Sequence, residues 1–200
     1  NGVEFVDISN PANPAHIRME KTHESQSVTY RDGILYSGEW GAHCVTVMDA
    51  SDMSTLKTLR TVNLQGHGDG VRIFGDYLYA ATGHHLSDPK LTEEEKRGNG
   101  HGLEILDISD PVNPKPISRV GFDHCYVRSN DFWHPRPCSN GDYVAVADTY
   151  NGLYIVECKD KSNPQKMCRL SFNDWRGNKA ALTGLAIGKG VIYVGVSGGS

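Results

Sequence analysis

Two short motifs alternate along the chain, and their alternation limits the possible folds more than any single residue does. Four segments align without gaps: VEFVDISNP from Val3, VTVMDASDM from Val45, LEILDISDP from Leu103 and LYIVECKDK from Leu153. The acidic residue closing each apolar run is Asp7, Asp49, Asp107 or Glu157, so successive copies lie 42, 58 and 50 residues apart. Seven residues beyond that acid stands Pro14, Pro114 or Pro164 in three copies and Leu56 in the other. Between these segments run SVTYRDGILYSG from Ser27, GVRIFGDYLYAA from Gly70, a degraded copy NGDYVAVAD from Asn140, and GLAIGKGVIYVG from Gly184.

Each motif reads as a β-hairpin. Asp32-Gly33, Gly75-Asp76, Gly141-Asp142 and Lys189-Gly190 sit between apolar runs and suit a two-residue primed turn. In the other motif a strand such as 103–108 runs into Ser-Asp-Pro and Asn113-Pro114, where proline has no N–H to extend a ladder. Two hairpins make a four-stranded antiparallel sheet of about 40–50 residues, the size of one propeller blade. A lone sheet of this kind cannot cover both of its faces, and stacking around an axis supplies the missing contacts. The expected fold is all-β, a β-propeller of four-stranded antiparallel blades with one short helix in an insertion.

The whole chain, 1–200, reads as a single propeller domain or a propeller fragment. If the innermost strands precede the Gly-Asp turns, whole blades occupy approximately 26–64, 69–122 and 124–172, with half-blades at 1–20 and 183–200. The half-blades have two readings: they belong to a longer propeller of more blades, or they complete each other in a four-bladed ring. A composite blade of that kind removes exposed strand edges. The recurring Asp7, Asp49, Asp107 and Glu157 are read as structural, each carboxylate taking backbone N–H bonds in the following turn. A catalytic residue is expected once, not four times.

The segments GVEFVDISNPANP, GLEILDISDPVNP and GLYIVECKDKSNP resemble the repeats of LVIVD-type proteins, a group of mostly secreted or surface β-propellers. GDYLYAATG and GDYVAVADTYNG resemble the first half of that repeat, so the likeness runs along nearly the whole chain. It implies a fold and a location outside the cell or at its surface. It implies no particular reaction, because a shared fold does not carry one. The sequence departs from the pattern where Asp-Met-Ser-Thr, residues 52–55, replaces the proline turn, and in two long insertions.

Composition excludes some classes. With 20 Lys+Arg against 24 Asp+Glu the net charge is −4, unlike a basic nucleic-acid binder. No run of about 18 apolar residues is present to span a bilayer. Five cysteines without a C-x-x-C pair argue against a thiolate zinc site. Cys158 and Cys168 fall on the two arms of one hairpin, and Cys125 and Cys138 bracket an insertion. Both pairs are disulfide candidates, which suits an oxidising compartment, with buried free thiols as the alternative.

Function is expected in the insertions and at the channel mouth. The first insertion, GHHLSDPKLTEEEKRGNGHG from Gly83, carries helix signals from Asp88 to Gly98, with His84, His85 and His101 at its feet. The second, YVRSNDFWHPRP from Tyr126, carries Phe132, Trp133, His134 and Arg136, a composition typical of contact surfaces. Nine histidines are present, and His67, Asp69 and His124 lie where innermost strands begin, so the fold brings them to one end of the channel. Candidate ligand-binding residues are therefore His67, Asp69, His124, Phe132, Trp133, His134 and Arg136. A divalent metal (Zn, Cu or Fe) is a candidate cofactor on His67, Asp69, His84, His85 and His124. Against it, no H-x-H or H-E-x-x-H spacing occurs. Gly195-Val-Ser-Gly-Gly matches G-x-S-x-G without the helix a nucleophile elbow needs.

The expectation is thus a secreted or cell-surface scaffold that binds a protein or glycan partner through its insertion loops. The alternative is a propeller hydrolase or oxidoreductase with a His/Asp site at the channel mouth.

Overall fold

The computed structural model describes residues 1–83, 100–122 and 133–198, without the side chains of Trp133 and His134. The short helix expected within the first insertion, together with His84, His85, His124, Cys125 and Phe132, lies outside the described residues. Five antiparallel sheets follow one another along the chain. The first is the hairpin β1 (Gly2–Asp7) and β2 (Ala15–Lys21). A four-stranded sheet follows: β3 (Ser25–Arg31), β4 (Ile34–Glu39), β5 (Cys44–Asp49) and β6 (Lys57–Asn63). The next holds β7 (His67–Phe74), β8 (Tyr77–Gly83), β9 (Gly102–Asp107) and β10 (Lys115–Gly121). The third four-stranded sheet holds β11 (Trp133–Pro137), β12 (Tyr143–Asp148), β13 (Gly152–Glu157) and β14 (Gln165–Leu170). The last sheet is the hairpin β15 (Ala181–Gly188) and β16 (Val191–Ser197).

Strands in each four-stranded sheet are ordered as in the chain, so β3, β7 and β11 each form one edge. These edge strands touch in series, β3 with β7, β7 with β11, and β11 with β15, and so line the axis of a propeller. The hairpins β1–β2 and β15–β16 are separate two-stranded sheets, so no composite blade joins them here.

The period of two along each middle strand sets the packing, because alternate side chains meet different neighbours. Tyr79 and Ala81 of β8 face Val144, Val146 and Tyr154 of the following sheet. Leu78 and Ala80 face Tyr36, Val45 and Val47 of the preceding one. Val3 and Phe5 of the first hairpin pack on Leu35 and Met48. Ala145, Ala147 and Leu153 pack on Leu182 and Leu185 of the last. Hydrogen bonds also cross between sheets: the Tyr36 hydroxyl donates to Pro111 O (2.7 Å) and Ser118 Oγ donates to Lys161 O (2.5 Å). At Gly38 a Cβ would stand 2.3 Å from Asp69 O, so the second and third sheets approach too closely there for any side chain.

Turn chemistry follows the repeat with two departures. Asp32-Gly33 and Lys189-Gly190 have positive φ at both positions, and Gly75 has positive φ at the first of its pair, as primed turns require. Gly141-Asp142 does not form a two-residue turn. Pro137 pairs with Val144 instead, leaving residues 138–142 as a five-residue connection, closed by Cys138 N donating to Tyr143 O (2.8 Å). In the other motif, Ser9, Ser51 and Ser109 N–H groups donate to Asp7, Asp49 and Asp107 Oδ1 at 2.8, 3.0 and 2.8 Å. These bonds for Asp7 and Asp107, and for Asp49 first the Ser51 hydroxyl (2.6 Å) and then the Ser51 N–H, hold the three carboxyls below their ordinary range. Glu157 departs, its longer side chain taking Lys159 Nζ (3.0 Å) and the Tyr143 hydroxyl (3.2 Å).

The expected Cys158–Cys168 disulfide is not formed. A register shift at Ile155/Val156 sets Cys168 opposite Ile155. Cys158 lies beyond the end of β13 and is buried, whereas Cys168 is exposed; both are free thiols, as are Cys44 and Cys138. Burial pushes the Cys158 thiol up to about 12. The Cys125–Cys138 pairing lies outside the described residues.

Two outcomes follow from this packing. Leu78→Ala should cost about 2–5 kcal/mol in urea unfolding, because Leu78 is buried between two sheets, while Leu170→Ala on the exposed outer strand should cost well under half as much. Brief alkylation of the native protein, read by peptide mass spectrometry, should label Cys168 and spare Cys44 and Cys158 until denaturant is added.

Candidate functional site

Register fixes which residues share an end of the sheets. His67 pairs with Gly83, Thr82 with Gly102, Gly102 with Gly121, and Trp133 with Asp148. Segments 84–99 and 123–132 therefore both leave and rejoin the sheets at one end. Trp133 and His134 begin β11 and Arg136 lies further along it, so the second insertion is shorter than the sequence suggested. Arg136 faces the channel wall and not the insertion.

A cluster of rings occupies the insertion end. The His67 ring stacks on Trp40 with centroids 4.7 Å apart and an interplanar angle of 19°. The His43 ring meets His67 at 3.8 Å. The turn between β4 and β5 organises this cluster. Trp40 O accepts from His43 N (3.3 Å) and contacts His67 Nδ1 (2.8 Å), while His43 holds a left-handed φ of 51°. Sequence reasoning selected His67 but neither Trp40 nor His43.

Asp69, the second candidate, is buried in a bulge between Gly68 and Val71 of β7. Its carbonyl accepts from Ser27 Oγ (2.8 Å), and the same hydroxyl accepts from Val71 N (2.7 Å). Those bonds join the inner strands β3 and β7. Among the described residues no group of three or more His, Cys, Asp or Glu is gathered as a metal cage. Of the candidate metal ligands His67 and Asp69 are described, and His84, His85 and His124 are not.

One buried acid–base pair joins two blades. His101 Nε2 lies 2.7 Å from Asp148 Oδ2, and both side chains are completely buried. The His101 ring meets Phe122 and Tyr154 edge-on at 5.6 and 6.2 Å, and those two rings stack at 4.1 Å. His101 O accepts from Phe122 N (2.8 Å) and Arg119 Nη2 (3.2 Å). The pair is enclosed and joins the two blades. The repeat marks these positions: His43, His101 and Asn151 each immediately precede a third strand, Glu39 and Asp148 each end a second strand, and Thr82 stands next to last in its own.

A second buried acid sits nearby. Glu104 Oε1 accepts from Gln65 N (2.9 Å) and Gly66 N (3.2 Å), opposite Arg119 on the paired strand. Burial raises the Glu104 carboxyl and lowers the Arg119 guanidinium. Glu104 and Arg119 also line a cavity of about 220 Å³ with Gln65, Pro116, Ile117 and Ser118.

Sheets of four antiparallel strands around a shared inner wall define a β-propeller. The LVIVD repeat family matches residues 1–19, 98–120 and 140–171, which fall on the β1–β2, β9–β10 and β12–β14 segments. The chain carries LVIVD repeats on a β-propeller fold. The unmatched β5–β6 hairpin is the copy with Asp-Met-Ser-Thr, and there Asp52 Oδ1 takes the Ser54 N–H (2.8 Å) and hydroxyl (2.7 Å), as Asp160 Oδ1 takes those of Ser162 in the copy with Pro164.

Comparison with solved structures supports the same fold. A protein from Lactobacillus plantarum is similar at a TM-score of 0.70 and 13% identity, over 98% of this chain and 58% of its own. The Cps50 (Swd1) β-propeller domain of Myceliophteria thermophila gives 0.57 and 15%, over 91% and 56%. BamB from Moraxella catarrhalis gives 0.52 and 14%, over 91% and 45%. This chain thus spans about half the length of these solved structures, from 45% to 58%, and at these identities the likeness is one of fold. No curated protein matches significantly. Among the described residues no helix is long and apolar enough to cross a membrane.

Asp148→Ala should lower stability by about 3–5 kcal/mol in urea unfolding, since it strands a buried imidazole. A His101→Phe, Asp148→Leu double variant should recover most of that loss.

Proposed function

We propose that this propeller is a non-catalytic interaction scaffold that binds a protein or glycan partner through its insertion-bearing end, outside the cell or at its surface. One observation carries the reading: both insertions spring from the same end of the sheets, beside the Trp40, His43 and His67 rings. Trp40 is buried and backs the exposed His43 and half-buried His67 rings, which give that face groups for hydrogen bonding and stacking, the chemistry of contact surfaces and of sugar recognition. The fully buried His101–Asp148 pair lends no support to an enzyme. The LVIVD resemblance supports the compartment; the free thiols add nothing to it.

Arrays of glycans and of secreted proteins should give a discrete set of binders for the wild-type chain. Replacing 84–99 by a Gly-Ser linker should weaken that binding at least about tenfold without changing the far-ultraviolet circular dichroism. Elemental analysis of the same samples provides the opposing outcome. Stoichiometric Zn, Cu or Fe, lost in His67→Ala together with a hydrolytic or oxidative turnover, would replace the scaffold reading with the enzyme one.

A further inference from the structure

The inner wall carries a chemistry that the insertion end does not use. The residue paired with the third position of each second strand points to one level of the inner strands: Thr29 pairs with Tyr36, Arg72 with Tyr79, Arg136 with Ala145, and Ala186 with Tyr193. Two neighbouring inner strands therefore present arginine at the same height. Arg72 and Arg136 line one cavity of about 430 Å³, whose other walls include Ile73, Phe74, Leu185 and Ile187. A second cavity of about 440 Å³ adjoins it through Arg72 and adds Arg31. These cavities lie toward the turn end of the sheets, away from the insertions.

Charge balance makes the pair unusual. The chain is acidic overall, at −4, yet among the described residues no carboxylate forms an ion pair with Arg72 or Arg136. Arg136 is half-buried and anchored, its Nε donating to Leu185 O (3.1 Å) and one Nη to Pro135 O (3.4 Å). Arg72 is exposed to the cavity. Burial lowers Arg136, and the nearby Arg72 charge lowers it further. Two like charges held together without a counter-ion favour an anion between them, and planar guanidinium forks match carboxylate and phosphate oxygens. The aliphatic and aromatic walls add a preference for an apolar body beside that anionic head.

We infer that the channel, at its turn end, is a binding site for a small organic anion: a carboxylate or phosphate monoester whose head takes Arg72 and Arg136 and whose apolar part lies against Phe74 and Ile187.

Isothermal titration of the full chain with phenyl phosphate, benzoate, inorganic phosphate and benzyl alcohol tests this. Phenyl phosphate or benzoate should bind at least about tenfold more tightly than inorganic phosphate, and benzyl alcohol should not bind. Arg72→Gln should weaken the aromatic anion at least about tenfold, with the urea midpoint unchanged because Arg72 supports no other group. Arg136→Lys, which keeps the charge but not the fork, should also weaken it and so guards against misfolding of a neutral variant. Equal affinity in wild type and Arg72→Gln, no binding of any anion, or equal binding of benzyl alcohol would overturn the site. The insertion-end scaffold stands or falls separately, since replacing 84–99 leaves both arginines in place.

Discussion

Everything in this molecule depends on middle strands that have two apolar faces and no way of burying both within their own sheet. Leu78 and Tyr79 are neighbours in sequence, yet they end in different cores on opposite sides of β8. The same division separates Val144 and Val146 from Ala145 and Ala147 on β12. Each sheet is stable only because another covers it, which is the nearest-neighbour logic of a repeat array bent around an axis. The end hairpins show the converse. On β16, Ile192 and Val194 pack inward on the preceding sheet, while Val191 and Tyr193 point the other way and are exposed.

This constraint separates what must recur from what is free to vary. The strand-ending aspartates recur because each caps a turn of the same geometry, and Glu157 shows the tolerance of that position to a longer acid. Asn10, Asp52 and Asp160 each take an N–H two residues on, so this turn keeps the same side-chain bond whether or not the copy carries its prolines. Contacts between sheets recur less. Tyr36 to Pro111, Ser118 to Lys161 and His101 to Asp148 are three different solutions to holding one blade against the next.

The fold was legible because hairpins announce themselves locally, through alternation and turn residues a few positions apart. What escaped was set by bulges and by contacts across blades. The β13–β14 register, with Glu157 opposite Gln165, leaves Cys158 in the connection and Cys168 opposite Ile155, three positions away, and strand spacing alone cannot reveal it. The degraded motif at Asn140 signalled an irregular turn without giving its length. His67 was legible from its place at the start of an inner strand. Its partners Trp40 and His43 sit in a turn between β4 and β5, and only the closing of the second sheet on the third brings the rings together. Asp148 was hidden for the same reason: its partner His101 lies in another blade.

The two ends of the channel differ in kind for a reason internal to the architecture. Side chains of the inner strands are held less closely than those of the middle strands, which lie buried between two sheets as Leu78 and Val146 do. Position by position the inner wall holds Thr29, Arg72, Arg136 and Ala186, two arginines between two small side chains. One strand further out stand Tyr36, Tyr79, Ala145 and Tyr193, the first three buried and Tyr193 exposed on the end hairpin. At the insertion end the irregularity lies in the connections, which add rings; at the turn end the connections are short and the irregularity lies in the wall itself, which adds charge. Arg136 joins β11 to β15 by donating its Nε–H to Leu185 O, but a backbone carbonyl does not balance its charge, and a guanidinium on this wall carries a desolvation cost that grows as the channel narrows. Two of them at one level, with no carboxylate paired to either among the described residues, are therefore better explained by what the channel holds than by how the propeller stands.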